Sequence, residues 1–421
     1  MAFSFISELW NKWNIRGSVL SSLSLRVFLI LFASLGKKIA NRRIVFLLWL
    51  AYWMADSVVV YGIGLIPHNQ GNSCAHVAEV DISLQALWAS FLLLHLGGPD
   101  TITAFSLEDN SLWGRHLLGL IFQVGAVVHL FVQIFPSDVS LVIPTIPVFL
   151  AGVIKNAERI LSLHLLSLSR LKESILQRLE ISWFPYLEME EELNALRVRH
   201  SHEEEATLAE SIVVKHAYFF FQIFQVFIGD LMFKDYKRKI SQNYFRKVSA
   251  INALRVISVE LNFMYEVLHT KALVIRSKWS YIFRCVAFTD LALALVLFNR
   301  LKKHGIPKLD VDITYSLIFG GMALDMIALF MLIFSEWTVA GIKWYNIGST
   351  PIDSFFPKLL STMDNLRKPQ SAKCKAEPND NPMYDVLDTP FIFQRWSESI
   401  SACNLLSEFL KESSRKLHKH D

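Results

Sequence analysis

The sequence predicts an all-α, multi-pass transmembrane helical bundle of about seven spans with a helical cytoplasmic domain, and three observations predict it. First, hydrophobic residues make up 52% of the 421-residue chain and charged residues only 19%, below the ~25% charged content of soluble domains. Second, the apolar residues fall in long runs, close to the roughly 20 that a helix needs to cross a hydrocarbon core of about 30 Å. Third, the charge is concentrated, with 18 Lys/Arg and 15 Asp/Glu between residues 155 and 280. Lys and Arg (42) nearly balance Asp and Glu (38), so no excess of one sign points to nucleic acid.

In chain order, residues 1–18 form an N-terminal segment, and residues 19–154 a membrane domain of five spans. Val19 to Leu35 is the first span, interrupted by Arg26, and Ile44 to Ile66 the second. Leu84 to Leu96 is a short third, while Leu112 to Phe135 and Val139 to Ile154 form a pair, the latter bent by Pro144 and Pro147. Residues 155–280 read as a charged helical cytoplasmic domain, with a Glu/Leu/Arg-rich helix over Leu171 to Leu208 and another over Ser258 to Ile275. Within it, Ala217 to Phe233 is apolar enough to be an eighth span. Crossing there places Lys234, Lys237, Arg238, Lys239, Arg246 and Lys247 outside, so the stretch reads as a buried or interfacial helix. Residues 281–345 hold the last two spans, Tyr281 to Phe298 and Ile313 to Phe334. Residues 346–421 combine a flexible linker over Arg367 to Pro390, which has four prolines, with an amphipathic helix over Ser397 to Leu417.

Sidedness comes from charge. Lys37, Lys38, Arg42 and Arg43 lie between the first two spans with no acid, which places that loop in the cytoplasm, the N-terminus outside and the C-terminus inside. One loop disagrees, because Arg300, Lys302, Lys303 and Lys308 then face outside. The four cysteines are far apart and imply neither a disulfide framework nor a zinc site.

Three blocks in order, Leu94-His95-Leu96-Gly97-Gly98-Pro99-Asp100-Thr101 running on to Asn110, Lys155-Asn156-Ala157-Glu158-Arg159, and Val259-Glu260-Leu261-Asn262 running on to Ala272, resemble the plant membrane-protein family called domain of unknown function 4220. Asp312 to Tyr315 and Ser335-Glu336-Trp337 extend the likeness, which covers about Leu9 to Trp344. The resemblance implies a multi-pass plant membrane protein that here stops short of a second uncharacterised domain, 594, carried by many members. It implies no activity, cofactor or catalytic residue.

Ionisable residues within spans are costly, about 2.5–3.5 kcal/mol each on insertion scales, and so are the first candidates for function. Asp56, Arg284, Asp290 and Asp325 form the candidate intramembrane polar network, with Arg26 a further charge in the first span. Such acids line either a proton or cation path or a packing network of ion pairs and hydrogen bonds. Glu158 and Arg159 end the fifth span and have Glu260, Tyr265 or Lys271 as possible partners, a candidate hinge between membrane and cytosol. Gly97-Gly98-Pro99-Asp100 lacks the residues of a phosphate loop and reads as a tight turn with Asp100 or Thr101 capping a following helix. His200-Ser201-His202 before three glutamates reads as a solvated face. No nucleophile elbow or HExxH motif occurs, and no catalytic, cofactor or metal residue is assigned. The reading is a membrane scaffold or signalling component with the lipid bilayer and cytosolic proteins as partners. A transporter or channel using the intramembrane acids is the main alternative, and a membrane-embedded enzyme the third.

Overall fold

The structure, a computed structural model, describes residues 2–39, 41–71, 79–134, 139–177, 191, 208–229, 231–232, 234–275, 277–303 and 306–341, with pieces at 358, 361–362, 364–365, 370–375, 383–388 and 394–396. The first helices are α1 (Ala2–Phe32), α2 (Leu35–Lys38), α3 (Arg42–Gly71), α4 (Glu79–Leu96), α5 (Leu107–Ser111) and α6 (Trp113–Ile134). They are followed by α7 (Val139–Leu165), α8 (Leu168–Gln177), α9 (Glu210–Ile228), α10 (Asp235–Lys247) and α11 (Ala250–His269). The last are α12 (Ala272–Ile275), α13 (Lys278–Arg300), α14 (Lys308–Ile333) and α15 (Glu336–Gly341).

Helix ends follow local chemistry. Ser249 caps α11 by accepting a hydrogen bond from the Asn252 backbone N–H, and Thr270 closes that helix by donating its hydroxyl to the Glu266 carbonyl. Ser106 and Asp109 form a reciprocal capping box at α5. Helix α4 stops at Gly98, whose φ of +67° is the left-handed conformation that glycine tolerates without strain. Pro144 and Pro147 lie in the early turns of α7, and the helix continues past position 154 to Leu165.

The helices bury two separate cores. In the first, α4 is the central helix: residues 83–95 are buried except Gln85, and Phe91, Leu92 and Leu87 are almost wholly enclosed. Around it α1, α3, α6, α7, α13 and α14 complete a bundle whose core includes Val148, Phe298 and Leu317. At one end Arg16 on α1 pairs with Asp310 on α14 at 2.6 Å, and Trp88 donates its indole N–H to Thr314 at 3.0 Å. The outward faces stay apolar, with Phe46 and Trp53 on α3, Ile121 and Phe122 on α6, Ile282 and Val296 on α13, and Phe319 and Phe330 on α14 all exposed. So broad an apolar surface is a membrane surface in a chain of this composition.

In the second core α9 is wrapped by α10, α11 and α15 through Phe219, Phe220, Phe221, Tyr244, Phe263 and Trp337. Seven described helices are long and apolar enough to cross a membrane, and they differ by one from the seven that the sequence predicts. They include α9 and leave out α4, whose apolar part, Ser83–Leu96, is shorter. Packing separates these two, since α4 is buried inside the bundle and α9 inside the second core.

One further difference lies near the C-terminus. The stretch read as a flexible linker contains an antiparallel ribbon, Gln370–Lys375 (β1) on Met383–Asp388 (β2), with Gln370 opposite Asp388 and Lys375 opposite Met383. The prolines that suggested a linker, at 369, 378, 382 and 390, flank the strands and so remove no ladder donor. Most of Leu171 to Leu208, the pair His200 and His202, and the helix over Ser397 to Leu417 lie outside the described residues.

Candidate functional site

Where the bundle meets the second core, charged side chains collect inside the apolar shell. Arg159 on α7 holds Asp56 on α3 through two parallel hydrogen bonds of 2.8 Å and also donates to the Leu96 carbonyl at 2.7 Å. Arg26 on α1 bonds no carboxylate among the described residues. It donates to the carbonyls of Leu94 at 2.6 Å and Gly98 at 3.0 Å, and its Nε is buried without a bond. Lys155 on α7 pairs with Asp325 on α14. Glu158, one turn further, accepts from the Ser280 hydroxyl at 2.8 Å.

The loop after α4 ties this cluster together. Asp100 caps no helix; its carboxylate accepts from Arg284 on α13 at 2.6 Å and faces Lys271 at 3.5 Å. Burial works against its ionisation, but Arg284 and Lys271 win and hold Asp100 well below the usual carboxylate range. Lys271 also donates to the Gly97 carbonyl at 2.8 Å, and burial lowers its ammonium to about 8 against the pull of Asp100. Gly97 permits the close approach of α7, because a Cβ there would stand 2.8 Å from the Lys155 Cβ. The Thr103 backbone N–H donates to the His269 carbonyl at 2.8 Å, and the Asn110 amide to the Leu268 carbonyl at 3.1 Å, so the loop joins bundle to second core.

A second network continues into that core. Lys37 donates to Asn262 at 2.5 Å and lies over the Tyr265 ring. Asn262 donates to Glu336 at 2.9 Å, and Arg395 bridges Glu336 and Glu210. Arg255 closes the set on Glu210 at 2.8 Å. Burial raises the Glu266 carboxyl, with Lys37 opposing, and raises Glu260 to about 8.

Three cavities adjoin these charges. One of about 320 Å³ lies between α3, α6 and α7, lined by Trp49, Trp53, Asp56, His116 and Arg159. Another, of about 190 Å³, lies between α7, α13 and α14 and reaches Asp100, Lys155, Lys271, Arg284 and Asp325. The third, about 410 Å³, opens between Lys37, Thr101, Glu266 and Phe330. Among the described residues no group of three or more His, Cys, Asp or Glu is placed to hold a metal.

The two predicted sets therefore converge in part. Asp56, Arg284 and Asp325 join Glu158, Arg159 and Lys271 in one ionic cluster, whereas the Asp290 carboxylate keeps one buried oxygen without a bond. Glu158 and Arg159 bond Ser280 and Asp56, while Tyr265 stacks near His269 and Lys37. Glu260 is buried on α11 and no described residue bonds its carboxyl. Sequence reasoning missed Asp100 and Lys155 as members. Lys155 carried a signal, because its spacing to Glu158 and Arg159 puts all three on one helical face.

Comparison with known proteins adds the family and nothing finer. No curated protein and no solved structure matches the chain. The family model described as Domain of unknown function (DUF4220) matches residues 49–409, a span that contains nearly all of the ionic cluster, and the chain belongs to that family.

Proposed function

We propose that this multi-pass membrane protein is a scaffold or signalling component, with the bundle as a closed anchor and the ionic cluster coupling it to the α9–α11–α15 core on the cytoplasmic side. The observation that carries this reading is the central helix: α4 is enclosed from Ser83 to His95 apart from Gln85, and the charged groups gather at the end where the second core docks. Orientation rests on Lys37, Lys38, Arg42 and Arg43, which sit at that same end. The opposing charge at Lys303 is engaged locally, donating to the Tyr315 hydroxyl at 2.6 Å and lying over the Phe298 ring.

Transport is the second reading, favoured because Asp56 and Asp325 line cavities. Reconstitution into proteoliposomes separates the two. The anchor reading expects proton and monovalent-cation flux no faster than in empty vesicles, together with faster backbone hydrogen exchange across α11 in Lys271→Met, which loses the tie to Gly97 and Asp100. Saturable uptake that Asp325→Asn abolishes, with exchange unchanged in Lys271→Met, overturns it.

A further inference from the structure

The cavity between α7, α13 and α14 has a largely apolar wall behind which charged side chains gather. Tyr281 and Cys285 on α13 face Met326 and Leu329 on α14, all exposed on the lipid-facing side. Helix α13 lies along α7 and touches α14 more sparsely, which leaves a cleft between α13 and α14. At about 190 Å³ the space holds roughly six water molecules at ~30 Å³ each, enough for an ionised headgroup but not its chains.

Each acid facing the cavity already accepts a hydrogen bond, Asp100 from Arg284, Asp325 from Lys155 and Glu158 from Ser280, and Asp100 also faces Lys271 at 3.5 Å. Donors remain. Arg284 Nε is buried without a partner, and Lys155 has bonded one of its three ammonium hydrogens, to Asp325. Buried donors left unmade are costly, so a group that accepts from them is stabilised there. The lining is balanced, with Lys155, Lys271 and Arg284 against Asp100, Glu158 and Asp325, and the surplus cation is Arg26, which lies beyond the lining near Asp100 and Asp325 and bonds only backbone carbonyls among the described residues. An anion entering the cavity offsets that charge.

We propose that this cavity is a binding site for the phosphate or carboxylate of a net-anionic membrane amphiphile whose chains lie in the cleft between α13 and α14. Arg284 and Lys155 supply the donors, and Asp100 and Asp325 hold those two side chains in place. The site goes beyond the anchor reading and does not depend on it, since a headgroup fits whether the bundle anchors or transports.

Cys285 reports occupancy. The full chain with Cys74, Cys374 and Cys403 changed to Ser is placed in phosphatidylcholine nanodiscs, and maleimide labelling of Cys285 is timed with and without added phosphatidylglycerol. Labelling is expected to slow roughly tenfold once the anionic lipid exceeds its dissociation constant by about ten. Arg284→Lys, which keeps the charge beside Asp100 but loses Nε, reduces that protection to about twofold or less. Phe288→Trp narrows the cavity without touching a charge and has the same effect on the ratio between the two lipid mixtures. Both variants are scored only against their own rate in pure phosphatidylcholine, which separates lost binding from misfolding. Inorganic phosphate added to pure phosphatidylcholine discs distinguishes the source: protection by phosphate without protection by phosphatidylglycerol supports the anion site and overturns the lipid as its occupant. Equal labelling under all three conditions overturns the site.

Discussion

At the residue scale the most informative side chain is Glu260. It is buried on α11 with no described partner, and burial alone raises its carboxyl to about 8 from 4.5. A folded Glu260 therefore keeps its proton across the range from about 4.5 to 8, where an unfolded one has lost it. Fold stability is whole below that window and falls as pH rises through it. Glu260→Gln removes the effect, so its apparent Tm exceeds the parent's by a few degrees, about 3 °C, at pH 7.5 and matches it near pH 4.5. Thermal melts across that range check this, and a pH-independent difference refutes the assignment. Asp56 and Asp325 were legible in the sequence because a carboxylate in an apolar run is conspicuous. Asp100 was not, because it follows Gly97-Gly98-Pro99, where a turn explains every residue without invoking a partner 184 positions away.

At the element scale the pairing of α3 with α7 through Asp56 and Arg159 sets how a bundle tolerates charge. Arg159 is buried whereas Asp56 is part-exposed, so losing the acid strands a buried guanidinium, at up to about 3–5 kcal/mol, and losing Arg159 leaves a carboxylate that water reaches. Asp56→Leu is expected to lower the apparent Tm in detergent strongly, and Asp56→Leu/Arg159→Met to recover most of the loss. Additive losses would show that the pair is not the unit. The exchange of roles between α4 and α9 shows why apolar runs are ambiguous. A run of 14 to 19 apolar residues satisfies a protein core as well as a bilayer, and only the neighbours decide. Phe219 to Phe221 lie in the stretch that the flanking charges mark as a buried or interfacial helix, and α10, α11 and α15 cover them.

At the scale of the whole molecule, the enclosure of α9 predicts a topology. With single cysteines at Glu173, Lys239 and Lys302 in a Cys-free chain, an impermeant thiol reagent is expected to reach 173 and 239 from one face and 302 from the other. Labelling of 173 and 239 from opposite faces means that α9 crosses, which removes the cytoplasmic unit from the anchor reading. The pairing of early with late residues also bears on biogenesis. Lys155 waits for Asp325, 170 residues later, and at a synthesis rate of about 5–20 residues per second that delay is roughly 10–30 s. Through that interval Lys155 and Asp100 have only each other and Arg26 as charged neighbours within the first five bundle helices, and α13 and α14 complete the pairing by bringing Arg284 to Asp100 and Asp325 to Lys155. A transcript ending before them yields a product that membrane quality control has physical grounds to remove.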